Sequence, residues 1–254
     1  MINRIGKWFD YLSYLFNSTN RHGVHSPFVY EFVDKVLYQE FPSRNEFLEY
    51  HRTLMLQSKS GGFENQSLSN YVDSVVLPSK HCELLQRIFL YYNINQIVDI
   101  GPSTGLEYNY LRFVIDSNQN SFAKFHYFSK SGKFLSLFEK SMAEYDKVIG
   151  PNQTYPAEFI LDDENVVLDN IKTMYLFNRL DLEIEFWSDF DKLMPKINNH
   201  DLIIFNSIYH NESAKLNWQR IINNPEFHVT IDCFNLGIAM KRQEQEKEHF
   251  QLRY

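Results

Sequence analysis

The run Gln96-Ile97-Val98-Asp99-Ile100-Gly101-Pro102-Ser103-Thr104-Gly105 limits the fold more than any other stretch of the chain. Ile97, Val98 and Ile100 form a short apolar segment, as expected of a strand buried on both faces in a parallel sheet. Two glycines then open a turn, and Leu106–Phe113 continues with apolar groups at helical spacing. A strand, a glycine turn and a helix in that order point to a doubly wound α/β sheet. Such sheets bind ligands outside the carboxyl ends of their strands. Glycine lets the backbone approach a ligand, the helix start offers unpaired N–H groups, and an acid at the strand end holds a positive or hydroxyl group. The spacing Asp-x-Gly-x-x-x-Gly departs from the dinucleotide pattern Gly-x-Gly-x-x-Gly, which disfavours a dehydrogenase. Tight glycine turns also follow strands in α/β domains that bind nothing there.

A chain of 254 residues, 44% hydrophobic and 22% charged, buries a substantial core and fits one α/β domain with an N-terminal elaboration. The formal charge of −7 argues against an extended surface that coats nucleic acid. Cys82 and Cys233 lie far apart in apolar surroundings and read as reduced core thiols of a cytoplasmic protein. The 22 Phe and 16 Tyr are taken mainly as core.

Met1–Asn20 reads as an amphipathic helix, with Ile2, Ile5, Trp8, Phe9, Leu12, Leu15 and Phe16 near helical spacing. Asp10 breaks the apolar run and no small-residue cleavage site follows, so it is not a secretory signal. Packing on the domain body or on a second subunit is the expected use; membrane contact is not expected. Ser26 and Pro27 mark the start of the next helix. His22 and His25 lack partners at metal-ligand spacing and are read as hydrogen-bonding groups around that helix start. Ser58–Gly62 is a candidate lid loop. Cys82–Tyr92 reads as a helix with Leu84, Leu85, Ile88 and Phe89 toward the core. Residues 1–80 are thus an N-terminal helical extension, and 81–254 the Rossmann-like domain.

His22-Gly23-Val24-His25-Ser26-Pro27-Phe28-Val29, Leu77-Pro78-Ser79-Lys80, Val98–Gly105 and the tail from Trp218 to Tyr254 together resemble a family of class I S-adenosylmethionine-dependent methyltransferase-like proteins from Bacteroidetes-type bacteria. The tail is the most specific part: Val229–Ala239 reads as two strands joined at a tight bend, and His249–Tyr254 matches the family's ending. The resemblance implies that this antiparallel pair supplies strands six and seven of a methyltransferase sheet. It covers most of the chain, with a divergent middle.

That middle reads independently as strands Phe125–Ser129, Glu158–Asp162, Leu182–Trp187 and Asp201–Phe205. Helices are expected over Phe134–Tyr145, Val166–Leu180 and Phe190–Ile197, with Val167, Ile171, Met174 and Phe177 as the stripe of the second. With the glycine-turn strand and the tail pair, the count is seven, mostly parallel.

Ligand chemistry belongs at the carboxyl ends of those strands. By the resemblance, Asp99, Gly101, Pro102, Ser103, Thr104 and Gly105 surround S-adenosylmethionine, with Ser129 and Asn206 at neighbouring strand ends. Strand two lacks the acid that grips a ribose; a different alignment gives that place to Asp162 or Asp163. Relatives of this type carry acids after strands four and five, where this chain has Trp187-Ser188 and Asn206-Ser207. Neutral groups make poor ligands for a divalent cation, so no metal is expected. His210 and Tyr209 are the candidate catalytic residues, His210 because an ordinary histidine titrates near neutrality. Methyl transfer asks mainly for alignment in a dry pocket, so a missing base does not exclude it.

Two readings stand: methyl transfer to a small-molecule acceptor, or a non-catalytic descendant of the fold that serves binding or assembly through its N-terminal helix. The first predicts that Gly101→Val abolishes cofactor binding and leaves the fold largely intact, checked by calorimetric titration.

Overall fold

The computed structural model describes residues 2–39, 46–57, 76–101, 103–117, 124–128, 132–149, 171–178 and 183–254. Helix α1 (Ile2–Asn17) leads through a short 3-10 turn (Arg21–Gly23) to α2 (Pro27–Phe32), which relaxes into one π-helical turn (Val33–Leu37). Ser26 caps α2 by accepting from the Val29 amide (3.4 Å), and Pro27 opens its first turn. Helices α3 (Glu46–Gln57) and α4 (Ser79–Tyr92) precede the sheet. Leu84, Leu85, Ile88 and Phe89 are all buried, as their spacing predicts.

The sheet comprises β1 (Gln96–Ile100), β2 (Lys124–Phe128), β3 (Thr173–Phe177), β4 (Leu202–Asn206), β5 (Val229–Asp232), β6 (Leu236–Met240) and β7 (Glu248–Gln251). Their spatial order is β2-β1-β3-β4-β6-β5-β7. Only β6 runs against its neighbours β4 and β5; the other pairings are parallel. This is the expected seven-stranded, mostly parallel Rossmann-like sheet with a C-terminal antiparallel pair. Interleaved helices are α5 (Leu106–Ser117), α6 (Gly132–Ile149), α7 (Glu183–Leu193) and α8 (Glu212–Asn223).

Successive strand residues face opposite layers. Ile97, Phe125, Met174, Leu176 and Ile204 join α2, α4 and α5 in one core. Val98, Tyr175, Phe177, Ile203 and Phe205 join Phe190 of α7 and Trp218 of α8 in the other. The N-terminal helix α2 therefore shares its core with the sheet.

Two middle elements differ from the sequence reading. Thr173–Phe177, expected inside a helix, is the central strand β3, buried at every position. A continuous apolar run of five residues carries no period by which strand and helix can be told apart. Glu183–Trp187, expected within a strand, opens helix α7; five alternating residues also fit the first turns of an amphipathic helix. The expected helix over Phe190–Ile197 is the end of α7 followed by a 3-10 turn (Met194–Lys196). The strand Glu158–Asp162, with Asp162 and Asp163, and the loop Ser58–Gly62 lie outside the described residues. The seventh strand comes instead from β7, which pairs with β5 at the sheet's end.

Gly237 in β6 tests how tightly the second layer is packed. A Cβ there would lie 2.7 Å from Cζ3 and 2.8 Å from Cη2 of Trp218, a buried ring on α8. Gly237→Ala is expected to cost about 1–3 kcal/mol, seen as a lower urea midpoint with unchanged slope. An unaltered midpoint would show that the ring yields freely.

Candidate functional site

β1 pairs with β2 on one side and β3 on the other, so the chain reverses its direction of travel across the sheet between β1 and β3. Crevices of doubly wound sheets open at such a switch point. Asp99, on β1, is completely buried there. Asn178, one residue past β3, spans the gap: its side-chain amide donates to Asp99 Oδ1, and its backbone N–H donates to Ile100 O (3.3 Å). Asp99 Oδ2 has no hydrogen-bond partner among the described residues. Burial, and secondarily the buried carboxyl of Glu107 on α5, push the Asp99 carboxyl well above its ordinary range, against hydrogen bonds from Ser103 and Asn178. Burial raises Glu107 as well, although it accepts the Leu77 amide (2.8 Å).

The turn after β1 is held from below by Tyr127 of β2. The Ser103 amide donates to the Tyr127 hydroxyl (3.2 Å), which donates back to Ser103 O (3.3 Å). Ser103 Oγ accepts the Gly105 amide (3.2 Å), and the Tyr127 ring stacks on Phe138 of α6 (4.4 Å, 10°). Both glycines have positive φ, +99° at Gly101 and +76° at Gly105, which side chains rarely adopt. Their surroundings differ. A Cβ on Gly105 would press on Phe138 and Ser141 at 3.2–3.3 Å, whereas one on Gly101 would meet nothing within 4 Å among the described residues, its chain neighbours aside. Gly105 thus serves close helix packing, and Gly101 borders open space. The Gly101→Val expectation needs correction: at φ +99° any side chain strains the backbone, so the fold is not left untouched, and alanine is the smaller change.

Thr104, buried on the same turn, has an Oγ1 with no partner among the described residues. Pro102 and Ser129 lie outside the described residues. Asn206 is buried at the end of β4 and accepts from Ser207 Oγ (2.8 Å). Because Phe177 is in register with Phe205, Asn178 and Asn206 follow side by side at the ends of β3 and β4. The sequence reading placed Trp187-Ser188 at that strand end and missed Asn178. Trp187 belongs to α7, where its indole N–H donates to Asn217 Oδ1 (3.2 Å). The repeated Leu-Phe-Asn of 176–178 and Ile-Phe-Asn of 204–206 is the signal that would have found it.

His210 is half-buried between β4 and α8, and its backbone N–H donates to Ser207 O (2.8 Å). The Tyr209 hydroxyl donates to Asp232 Oδ2 (2.6 Å), and its ring stacks on Phe234 (4.9 Å, 18°). Burial and the Asp232 carboxylate raise the Tyr209 phenol above its usual range, which keeps it neutral. No three His, Cys, Asp or Glu residues form a metal-holding group among the described residues, and His22 and His25 are both exposed.

The raised Asp99 carboxyl fixes the sign of a pH effect. The folded state holds this proton more tightly than the unfolded chain, so its stabilising contribution is complete below the ordinary carboxylate value and is lost as pH rises through the folded value. Asp99→Asn removes the buried charge. It is expected to be more stable than the parent at pH 8 and to converge with the parent near pH 4. Urea midpoints at both pH values check this; an equal loss at both would show that Asp99 is held ionised by its surroundings.

No protein-family model matches the sequence, and no curated protein matches it significantly. Solved structures do match. A protein described as cofactor-bound Rv0187 from MTB superposes with a TM-score of 0.52 at 9% identity, over 86% of this chain and 98% of that one. The O-methyltransferase of Bacillus cereus, in complex with SAH, gives 0.51 at 9% identity, over 84% and 96%. A Staphylococcus aureus protein, provisionally described as a caffeoyl-CoA O-methyltransferase, gives 0.51 at 14% identity, over 76% and 99%. At such identities the likeness is one of fold: the chain has the Rossmann-like fold of the class I S-adenosylmethionine-dependent methyltransferases.

Proposed function

We propose that the chain binds S-adenosylmethionine at the Asp99–Gly105 turn and transfers its methyl group to a small-molecule acceptor. The observation that carries this reading is Gly101: a backbone held at φ +99°, bordering open space beside the switch point, with the unpartnered buried oxygens of Asp99 and Thr104 on the same turn. These residues fit the group. An uncompensated buried carboxylate gains most from a ligand that brings positive charge, and a sulfonium amino acid carries two such centres. The similar Bacillus cereus enzyme, crystallised with S-adenosylhomocysteine, supports the same ligand class.

The bound cofactor supplies an activated methyl group, and the chain supplies position. Gly101 with Pro102 admits the ligand backbone, Asp99 receives its positive end, and Ser103, Thr104 and Gly105 shape the turn. Ser129, next in sequence after β2, is the residue this reading assigns to the ribose. Asn206 and Asn178 line the ends of the central strands. His210 is the group proposed to take a proton from an acceptor hydroxyl, and Tyr209 fixes the loop that carries it. With amides at both strand ends, no residue of this reading holds a metal.

The paired asparagines also favour a second reading, a binding protein on the same fold without turnover, because neither amide serves as a base. Calorimetric titration with S-adenosylmethionine and S-adenosylhomocysteine, without metal, separates the two. Micromolar binding is expected, weakened at least tenfold in Gly101→Ala, about 1.4 kcal/mol. Methyl transfer in an acceptor screen, lost in His210→Ala, supports the enzyme. Binding without transfer selects the second reading, and no heat with no thermal shift removes both.

A further inference from the structure

Helix α1 is amphipathic, yet the side it lays on the body is not its apolar one. Tyr14 is buried, and its hydroxyl donates to Leu252 O. Tyr11 meets Phe234 edge-on (5.0 Å), and Asp10 forms an ion pair with Lys215 of α8 (3.1 Å). The opposite side leaves Trp8, Phe9 and Phe16 57%, 61% and 87% exposed. At 3.6 residues per turn these three fall within an arc of about 100°. Three large aromatic side chains on one arc of a surface helix have no place in the fold's own packing.

Cations flank this arc, and the acids next to the helix, Asp10 and Glu212, are both held by Lys215 of α8. The chain carries −7 overall, but residues 1–29 hold Arg4, Lys7 and Arg21 against Asp10 alone. Asp10 is matched by Lys215, and Arg21 pairs with Asp34 (3.0 Å). Lys7 is exposed. Arg253 reaches the last turn of α1, donating to Leu15 O (2.7 Å) and Ser18 Oγ (3.4 Å). Neither Lys7 nor Arg253 makes an ion pair among the described residues. Exposed aromatics with unmatched cations nearby complement an anionic lipid surface, where rings settle at headgroup level and cations meet phosphates. A second copy of this chain fits less well, because α1 against α1 sets Lys7 against Lys7 while the nearby acids Asp10 and Glu212 are already held by Lys215.

We infer that α1 is an interfacial anchor that docks on membranes rich in anionic phospholipid through Trp8, Phe9 and Phe16. No helix of the described residues is long and apolar enough to cross a membrane, so α1 lies on the surface. This departs from the expectation, drawn from the sequence, that membrane contact is absent. It stands independently of what the Asp99–Gly105 turn binds. Because Phe234 follows the carboxyl end of β5 and touches Tyr11, docking holds that edge of the sheet close to the lipid.

Co-sedimentation of the full chain with vesicles tests it. The chain is expected to pellet with vesicles of phosphatidylcholine and phosphatidylglycerol, far less with phosphatidylcholine alone, and less as salt rises. The combined change Trp8→Ser, Phe9→Ser and Phe16→Ser is expected to weaken binding at least about tenfold while keeping the parent's thermal midpoint, since all three are exposed. Lys7→Glu is expected to lower the preference for phosphatidylglycerol about fivefold or more. The anchor is overturned if phosphatidylglycerol vesicles leave the chain in solution, or if the triple variant pellets as well as the parent. It is equally overturned if vesicle binding is absent and sedimentation shows a dimer that the triple variant dissolves, which would make a second copy the occupant.

Discussion

A carboxylate buried at the end of β1 is costly unless donors surround it, and the donor given to Asp99 is the amide of Asn178 across the switch point. That contact joins the ends of two strands that the chain reaches far apart in sequence, and it aims the carboxyl toward the glycine turn. The backbone repeats the link, since the Asn178 N–H extends the β1–β3 ladder by one bond to Ile100. Tyr127 then props the turn from β2 through both polar atoms of the Ser103 backbone. Three neighbouring strands therefore converge on one loop, which has positive φ at Gly101, where no described residue beyond the chain neighbours would come within 4 Å of a Cβ. Glycine adopts that φ without a Cβ penalty, so the turn needs no packing at this position.

The two asparagines decide which chemistry that loop can support. Both end a strand in the same local sequence, one residue after aromatic partners in register, Phe177 and Phe205, whose rings stack at 5.5 Å. An amide in each place can accept and donate hydrogen bonds but carries no charge. It draws a divalent cation less strongly than a carboxylate would and is no base. Asp99 is a buried acid with one oxygen unpartnered among the described residues, and a positively charged group beside it would offset burial better than a neutral one. The same geometry weakens the case for rapid turnover and strengthens the case for binding.

The elements legible in the sequence were those with a local signal. Asp99–Gly105 has its glycines, α2 its Ser26-Pro27 cap, α4 its spaced leucines, and the β5–β6 pair its tight bend. β3 had none. Met174–Phe177 is apolar throughout because both faces are covered, and burial on both sides erases the alternation by which a strand is recognised. Losing β3 also lost Asn178, since a residue in a helix has no strand end to occupy. Glu183–Trp187 failed in the opposite sense, its alternation arising by chance over one helical turn. Tyr209 illustrates a third limit. Its proximity to His210 was plain, but the bond to Asp232, 23 residues on, depends on how β4 and β5 sit in the sheet.

The chain's two ends explain why α1 faces as it does. β7 pairs in parallel with β5, and the ladder continues past it as Thr19 bridges Leu252. The Arg253 amide donates to Thr19 O (2.9 Å), and the Thr19 amide to Gln251 O (2.8 Å). The segment after α1 thus covers an edge that would otherwise offer unpaired backbone groups. Such hydrogen bonds permit few orientations, and the tyrosine side of α1 is the one that meets Leu252 O and Phe234. An apolar stripe without partners of its own has no comparable directional preference. Its outward position follows from the bonds made on the other side, and the exposed aromatics are the consequence of satisfying the sheet edge first.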